Sequence, residues 1–197
     1  MAGDLLGVPM SSKLSVLVAI TWLTFFAAAP AQSGQQGASA ELQSLAKLFA
    51  GTWTLRVTFE PTPEIPKGLH GTGEETWRAV ASGLTLTDEE SITAGPIKMA
   101  LLGLFWTDHV TGQLRALDCN NQNPHTCDLE DARGALTVHW DGHELVVEEP
   151  EAGPDGKPMT SRVVWSDITT SSFTETGYLG PPGGPFKKGM TLLGTRK

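Results

Sequence analysis

Residues 52–60, TWTLRVTFE, alternate without a break. Trp53, Leu55, Val57 and Phe59 fall on one side, and Thr52, Thr54, Arg56, Thr58 and Glu60 on the other. A period of two belongs to a strand with one buried face, because successive side chains of a strand point to opposite faces. Comparable runs follow at 71–80, 84–93, 99–107, 113–119, 135–141, 143–149, 159–166, 172–179 and 188–196, parted by Gly, Pro and Asp turns. This spacing predicts an antiparallel all-β barrel or sandwich. A single helix precedes it in SAELQSLAKLF, with Ser39 as N-cap and Leu42, Leu45 and Leu48 or Phe49 on one face. The Pro- and Gly-rich stretches PTPEIPKG, EAGPDGKP and GPPGGPF read as loops between strands, not as domain boundaries.

One hairpin carries enough pattern for a register. LTVHWDGHELVVEE contains Asp141-Gly142, a pair that tight primed turns favour. A turn centred there pairs Trp140 with His143, Val138 with Leu145 and Leu136 with Val147, and places His143 on the apolar face.

The start of the chain reads differently. Lys13, the apolar run LSVLVAITWLTFFAAA and the small-x-small site Ala29-Pro30-Ala31 have the form of a secretory signal peptide over residues 1–31, with Met10 as an alternative start. A retained membrane anchor is the rival, although the apolar run is near the lower length for spanning, about 17 residues. Residues 32–38 form a polar linker, leaving 39–197 as a single domain, large enough to fold without a metal. The expected localisation is periplasmic or extracellular. A net charge of −8 argues against a nucleic-acid partner, since phosphate binding needs clustered Lys and Arg.

Few residues nominate chemistry. His139 and His143 resemble a zinc-helix pair, but Asp141-Gly142 breaks any helix and the hairpin sends the rings to opposite faces, so no metal site is expected. Cys119 and Cys127 bracket a polar loop, and in an exported chain with no other cysteine they predict a disulfide. The acidic runs at Glu74-Glu75, Asp88-Glu89-Glu90, Glu130-Asp131 and Glu148-Glu149 read as mostly the solvated outer face, and adjacent strand residues, facing opposite ways, do not form a carboxylate dyad. No nucleophile elbow, phosphate-cradling glycine loop or His-Glu-x-x-His is present, so no catalytic residue and no cofactor is nominated. The aromatics Trp53, Phe59, Trp77, Phe105, Trp106, Trp140, Trp165 and Phe173 are spread over most strands. They either fill a barrel or line a cavity, since a closed sheet of about eight to ten strands has room for one small ligand.

The helix, then AGTW on the first strand, then LLGTRK on the last, resembles the lipocalin-like (calycin) barrels. That resemblance implies that Trp53, two residues past Gly51, lies across the closed end of the barrel with Arg196 packed over it. The segments FWTDHVTGQLRALDCNN, HELVVEEPEAGPDGKPMTSRVVWSDITTSSFTETGYLGPPGG and the final TRK resemble the bacterial domain-of-unknown-function 1579 family. That family is calycin-like, often exported and without a settled activity; the cysteine loop departs from its pattern. The nitrobindin-type haem barrels also open with Gly-Thr-Trp, but ligate iron through a late-strand His, and no His follows His143 here.

Three functions compete. The first is a barrel binding a small, mostly apolar molecule, with Phe59, Trp140, His143 and Leu145 around it and His143 as polar handle. The second is an isomerase or hydrolase on the same barrel, with Asp108, His109 or His143 titrating at its mouth. The third is an interaction module with a filled core.

Overall fold

The computed structural model describes residues 37–122, 136–153 and 156–197. The expected signal peptide and all but the end of the linker lie outside the described residues, as do Cys127 and the Glu130-Asp131 pair. The elements are α1 (Ala40–Phe49), β1 (Gly51–Phe59), β2 (Leu69–Val80), β3 (Thr85–Ala94), β4 (Ile97–Thr107), β5 (Leu114–Asn120), β6 (Thr137–Asp141), β7 (Glu144–Ala152), β8 (Pro158–Ser166), β9 (Ser172–Gly180) and β10 (Lys187–Arg196). All ten strands form one antiparallel sheet in the order β5-β4-β3-β2-β1-β10-β9-β8-β7-β6, and the edges β5 and β6 approach each other to give a nearly closed barrel. The expected all-β barrel of eight to ten strands behind one short helix is therefore the fold.

The helix forms where its ends are satisfied. Ser39 adopts an extended backbone and its hydroxyl accepts from Leu42 N at 3.1 Å, while Glu41 and Lys47 complement the helix dipole at its two ends. Leu42, Leu45 and Phe49 are fully buried, so this face lids one end of the barrel. Each such side chain contributes about 1.5–3 kcal/mol by leaving water.

Beneath the helix lies an aromatic layer. Trp53 is completely buried; its indole N–H donates to Phe49 O at 2.8 Å and its ring meets Phe173 edge-on at 5.0 Å. The Arg196 guanidinium lies 4.1 Å from the Trp53 ring centroid and donates to Leu48 O, Ala50 O and Thr170 O. One cation thus covers an aromatic face and closes three carbonyls around the helix end. Gly51 has φ +135°, and a Cβ there would collide with that guanidinium, which explains a glycine two residues before the tryptophan.

The β6–β7 hairpin departs from its expected register. Trp140 pairs with Leu145, Val138 with Val147 and Asp141 with Glu144. The central turn residues are Gly142 and His143, with Gly142 at φ +61° and Asp141 still on the strand. A turn whose first central residue is glycine accepts that positive φ without steric cost. The shift keeps Val138, Leu145 and Val147 in the core but puts His143 in the turn, where it is exposed. His143 does not face the interior.

Candidate functional site

Alternation along β2 sends Glu74 out and Glu75 and Trp77 in; along β3 it sends Glu89 out and Leu86, Asp88, Glu90 and Ile92 in. On β9 Glu175 follows Phe173 on the inner face. Glu75, Asp88, Glu90 and Glu175 are 1%, 4%, 8% and 6% exposed, so the barrel interior holds four buried carboxyl groups. The acidic runs of β2 and β3 are thus not wholly an outer face, because each contributes its alternate members to the core.

Register brings these groups together. Glu75 lies directly across from Glu90, and Trp77 across from Asp88. Trp165 on β8 lies across from Glu175. Gly103 on β4 lies beside Asp88, where a Cβ would stand 3.2 Å from the Asp88 Cβ, so the missing side chain leaves room for the acid. The layer beneath the acids is aromatic: Trp77 stands 5.2 Å from Phe105 and 6.5 Å from Trp165, ring centre to ring centre.

The electrostatics are one-sided. Burial pushes the Glu75 carboxyl well above its ordinary range, and Asp88 and Glu90 push it further. Burial also raises Asp88 and Glu175 strongly, with Glu90 the first neighbouring charge acting on each. Glu90 is pushed up to about 7 by burial. Nearer the open end, burial and then Glu151 lift Asp118 to about 6, while burial, Asp118 and Glu151 lift Glu149 to about 7. Glu75 Oε2, Asp88 Oδ1, Glu90 Oε1 and Asp118 Oδ1 have no hydrogen-bond partner, and neither do Trp77 Nε1 and Trp165 Nε1. The two indoles point toward Glu75 and Glu175 and ease their charge, yet stop short of hydrogen-bond geometry. Among the described residues no ion pair involves the four deep acids.

Among the described residues the two ends of this interior differ in burial. At the helix-capped end the inward residues are sealed, as with Trp53 and Leu55 at 0% exposure. Toward the far end, inward-facing Met99, Leu101, Val163, Gly177 and Met190 keep partial exposure. Among the described residues the acids therefore lie between a sealed aromatic floor and an end whose inward-facing side chains keep partial exposure.

The residues expected around a ligand do not converge. Phe59 is half-buried at the open end, opposite Leu69 and Met190, and Leu145 is fully buried beside Trp165. Trp140 and His143 belong to the capped end, where they line an open cleft of about 560 Å³ outside the barrel with Leu48, Asp167 and Ile168. Asp108 and His109 also lie at the capped end, in the turn after β4, whose last residue Thr107 bonds Ser39 at 2.6 Å. Asp108 accepts from Val110 N at 2.8 Å and Thr111 N at 3.0 Å, which holds its carboxyl below the usual range; it orders a turn and does not face the mouth. Cys119 sits on β5, and the expected partner Cys127 lies outside the described residues. Among the described residues no group of three or more His, Cys, Asp or Glu could hold a metal ion, and no helix is long and apolar enough to cross a membrane.

The acid cluster had a sequence signal. Glu75-x-Trp77, Leu86-x-Asp88-x-Glu90-x-Ile92 and Phe173-x-Glu175 put each acid in phase with core residues. Parity within a strand reveals it; adjacency of like charges hides it.

No family model matches the chain and no curated protein matches it. Solved structures do. Rv2717c from M. tuberculosis superposes with a TM-score of 0.50 at 13% identity, covering 81% of this chain and 99% of that one. The S-type phycobiliprotein lyase CPES from Guillardia theta gives a TM-score of 0.46 at 10% identity, over 79% of this chain and 92% of that one. The fold is a lipocalin-like, calycin-type antiparallel barrel. Membership in the domain-of-unknown-function 1579 family has no matching family model behind it.

Proposed function

We propose that the protein is an exported barrel that binds a small molecule through its open end, with the ligand's polar part on the acid belt and its apolar part against the wall above. The carrying observation is the set of buried polar atoms without partners beneath a partly exposed inner wall. Buried polar groups are nearly always satisfied, and each orphan costs roughly 1–3 kcal/mol. A bound molecule entering from the mouth supplies the missing partners. The ligand is accordingly less apolar than the aromatic content of the sequence suggests. Native mass spectrometry of protein purified from its own source tests this: a retained small-molecule mass supports it, and a clean apo mass at every collision energy opposes it.

Export and the Cys119–Cys127 bridge belong to the same reading. The exported chain is expected to begin at Gln32, and thiol labelling of unfolded, unreduced protein to find no thiols. An enzyme on this barrel is favoured by one observation: a Glu90 carboxyl held near 7 is suited to proton transfer at neutral pH. Turnover of a retained ligand that vanishes in Glu90→Gln supports that alternative.

A further inference from the structure

Resting on the small-molecule reading, we infer that the barrel interior binds an organic cation, a primary ammonium on an apolar body, through Glu75, Asp88 and Glu90. Three acceptors there lack partners: Glu75 Oε2, Asp88 Oδ1 and Glu90 Oε1. Glu75 and Glu90 are directly cross-strand, and Asp88 is two residues from Glu90 on the same face, diagonal to Glu75. Cross-strand neighbours stand about 5 Å apart and diagonal ones about 7–8 Å, within the span of long side chains. A primary ammonium has three N–H donors and no acceptor, so it matches three orphan acceptors and leaves nothing unpaired.

The indoles are an independent sign. Trp77 and Trp165 are 1% and 6% exposed, and their N–H groups are unpartnered while aimed at Glu75 and Glu175. An ionised carboxylate would take up these donors far better than a protonated one. The site therefore lacks what would hold its acids ionised, namely a positive charge. Strand cations do not serve the acids: Arg78 pairs with Glu89, Arg115 with Asp108, Arg162 with Glu148 and Lys188 with Glu60, and Arg56, Lys98 and Lys187 are exposed. Arg196 is engaged with Trp53 and three carbonyls. An anionic ligand would meet only like charge. Met99, Leu101, Val163 and Met190 on the wall above offer apolar cover for the body of the amine.

Binding exchanges protons. The ligand enters as an ammonium, a carboxylic acid of the belt releases its proton to water, and the carboxylate formed pairs with the ammonium. The net charge of the site is unchanged. The groups facing this exchange are Glu75 from β2, Asp88 and Glu90 from β3, Glu175 from β9, Asp118 from β5, and Glu149 and Glu151 from β7. All are carboxyls raised by burial, so they act in one direction, and amine affinity rises with pH.

Calorimetric titration of the full exported chain with 2-phenylethylamine and with the neutral 2-phenylethanol tests the inference. Runs at pH 5.5 and 7.5, in buffers of different ionisation enthalpy, also count protons. The expected result is preference for the amine at pH 7.5, proton release, and a loss of roughly tenfold or more at pH 5.5, as for a site titrating near 7. Glu90→Gln should weaken the amine roughly tenfold or more, whereas Glu89→Gln, on the outer face of the same strand, should not. Should Glu90→Gln fail to fold, Glu75→Gln and the wild-type proton count decide. Equal affinity for the alcohol, a pH-independent amine affinity, or equal losses in the Glu89 and Glu90 variants would overturn the cation while leaving a small-molecule barrel standing. Binding of neither probe overturns it too, and the native mass measurement then decides separately whether the barrel carries a ligand.

Discussion

The helix-capped half of the barrel and its open half share the same ten strands and treat buried polarity in opposite ways. Directly under the helix, Trp53 and Arg196 have their polar groups answered. Trp53 Nε1 has Phe49 O, and Arg196 has three carbonyls and an aromatic face. In the acid layer above them, the indole N–H groups of Trp77 and Trp165 and several carboxyl oxygens go unanswered, although Trp77 itself packs on Phe49 of the helix. The capped half has the composition of a core, apolar with a few paired polar atoms. The open half keeps groups that cost stability, and such groups collect where proteins bind or react. The contrast sets a layer whose polar groups are paired against one whose polar groups are not, and the proposed ligand is placed on the second.

The capped half should respond to volume and the open half to charge, and substitutions separate the two. The largest effect is expected from Trp53→Ala, which removes the ring that Arg196, Phe173 and the helix pack against; chemical denaturation should show a loss of about 3–5 kcal/mol. A loss under about 1 kcal/mol would remove the distinction between the halves.

Next comes the pH dependence of stability. Glu90 has its folded value raised from 4.5 to about 7. Its stabilising contribution is complete below the unfolded value and is lost as pH rises through the folded one, because the folded state binds the extra proton. Glu90 alone accounts for about 3 kcal/mol across that window. Glu75, Asp88 and Glu175 shift in the same direction. Urea unfolding should therefore give a more stable protein at pH 5 than at pH 8, and Glu90→Gln should flatten the difference and raise stability at pH 8. A profile that rises with pH would mean that a cation already balances the belt.

A smaller effect tests packing again. A Cβ at Gly194 would run into the Phe173 ring, so Gly194→Ala should cost about 1–3 kcal/mol through overpacking, with no change in its pH profile. Smallest is the helix cap. Ser39→Ala removes the acceptor for Leu42 N and the bond to Thr107, and a thermal melt should show a loss of about 1 kcal/mol. Ligand affinity at the far end should be unaffected, which sharpens the separation of the two halves.

Much of the barrel was legible because strand periodicity is local. Ten alternating runs became ten strands, and the Ser39 cap and the Leu42 and Leu45 stripe became the lid. The β6–β7 turn was misplaced by one residue because Asp141-Gly142 and Gly142-His143 are both acceptable turn centres. Only the backbone, with its positive φ at Gly142 alone, chose between them. That single step moved His143 from the interior to an exposed cleft.

The sequence by itself determined which residues of each strand face inward, since parity along a strand is a property of the chain. Glu75, Asp88, Glu90 and Glu175 share the parity of the core residues on their strands, but their charges led the acidic runs of β2 and β3 to be read as an outer face. Only the tertiary structure decided that they meet. The sheet had to curl into a barrel before Glu175 of β9 came near Glu75 of β2 and Glu90 of β3. It also decided which end the helix lids, since it settles on the end where Trp53 and Arg196 give its last carbonyls a partner.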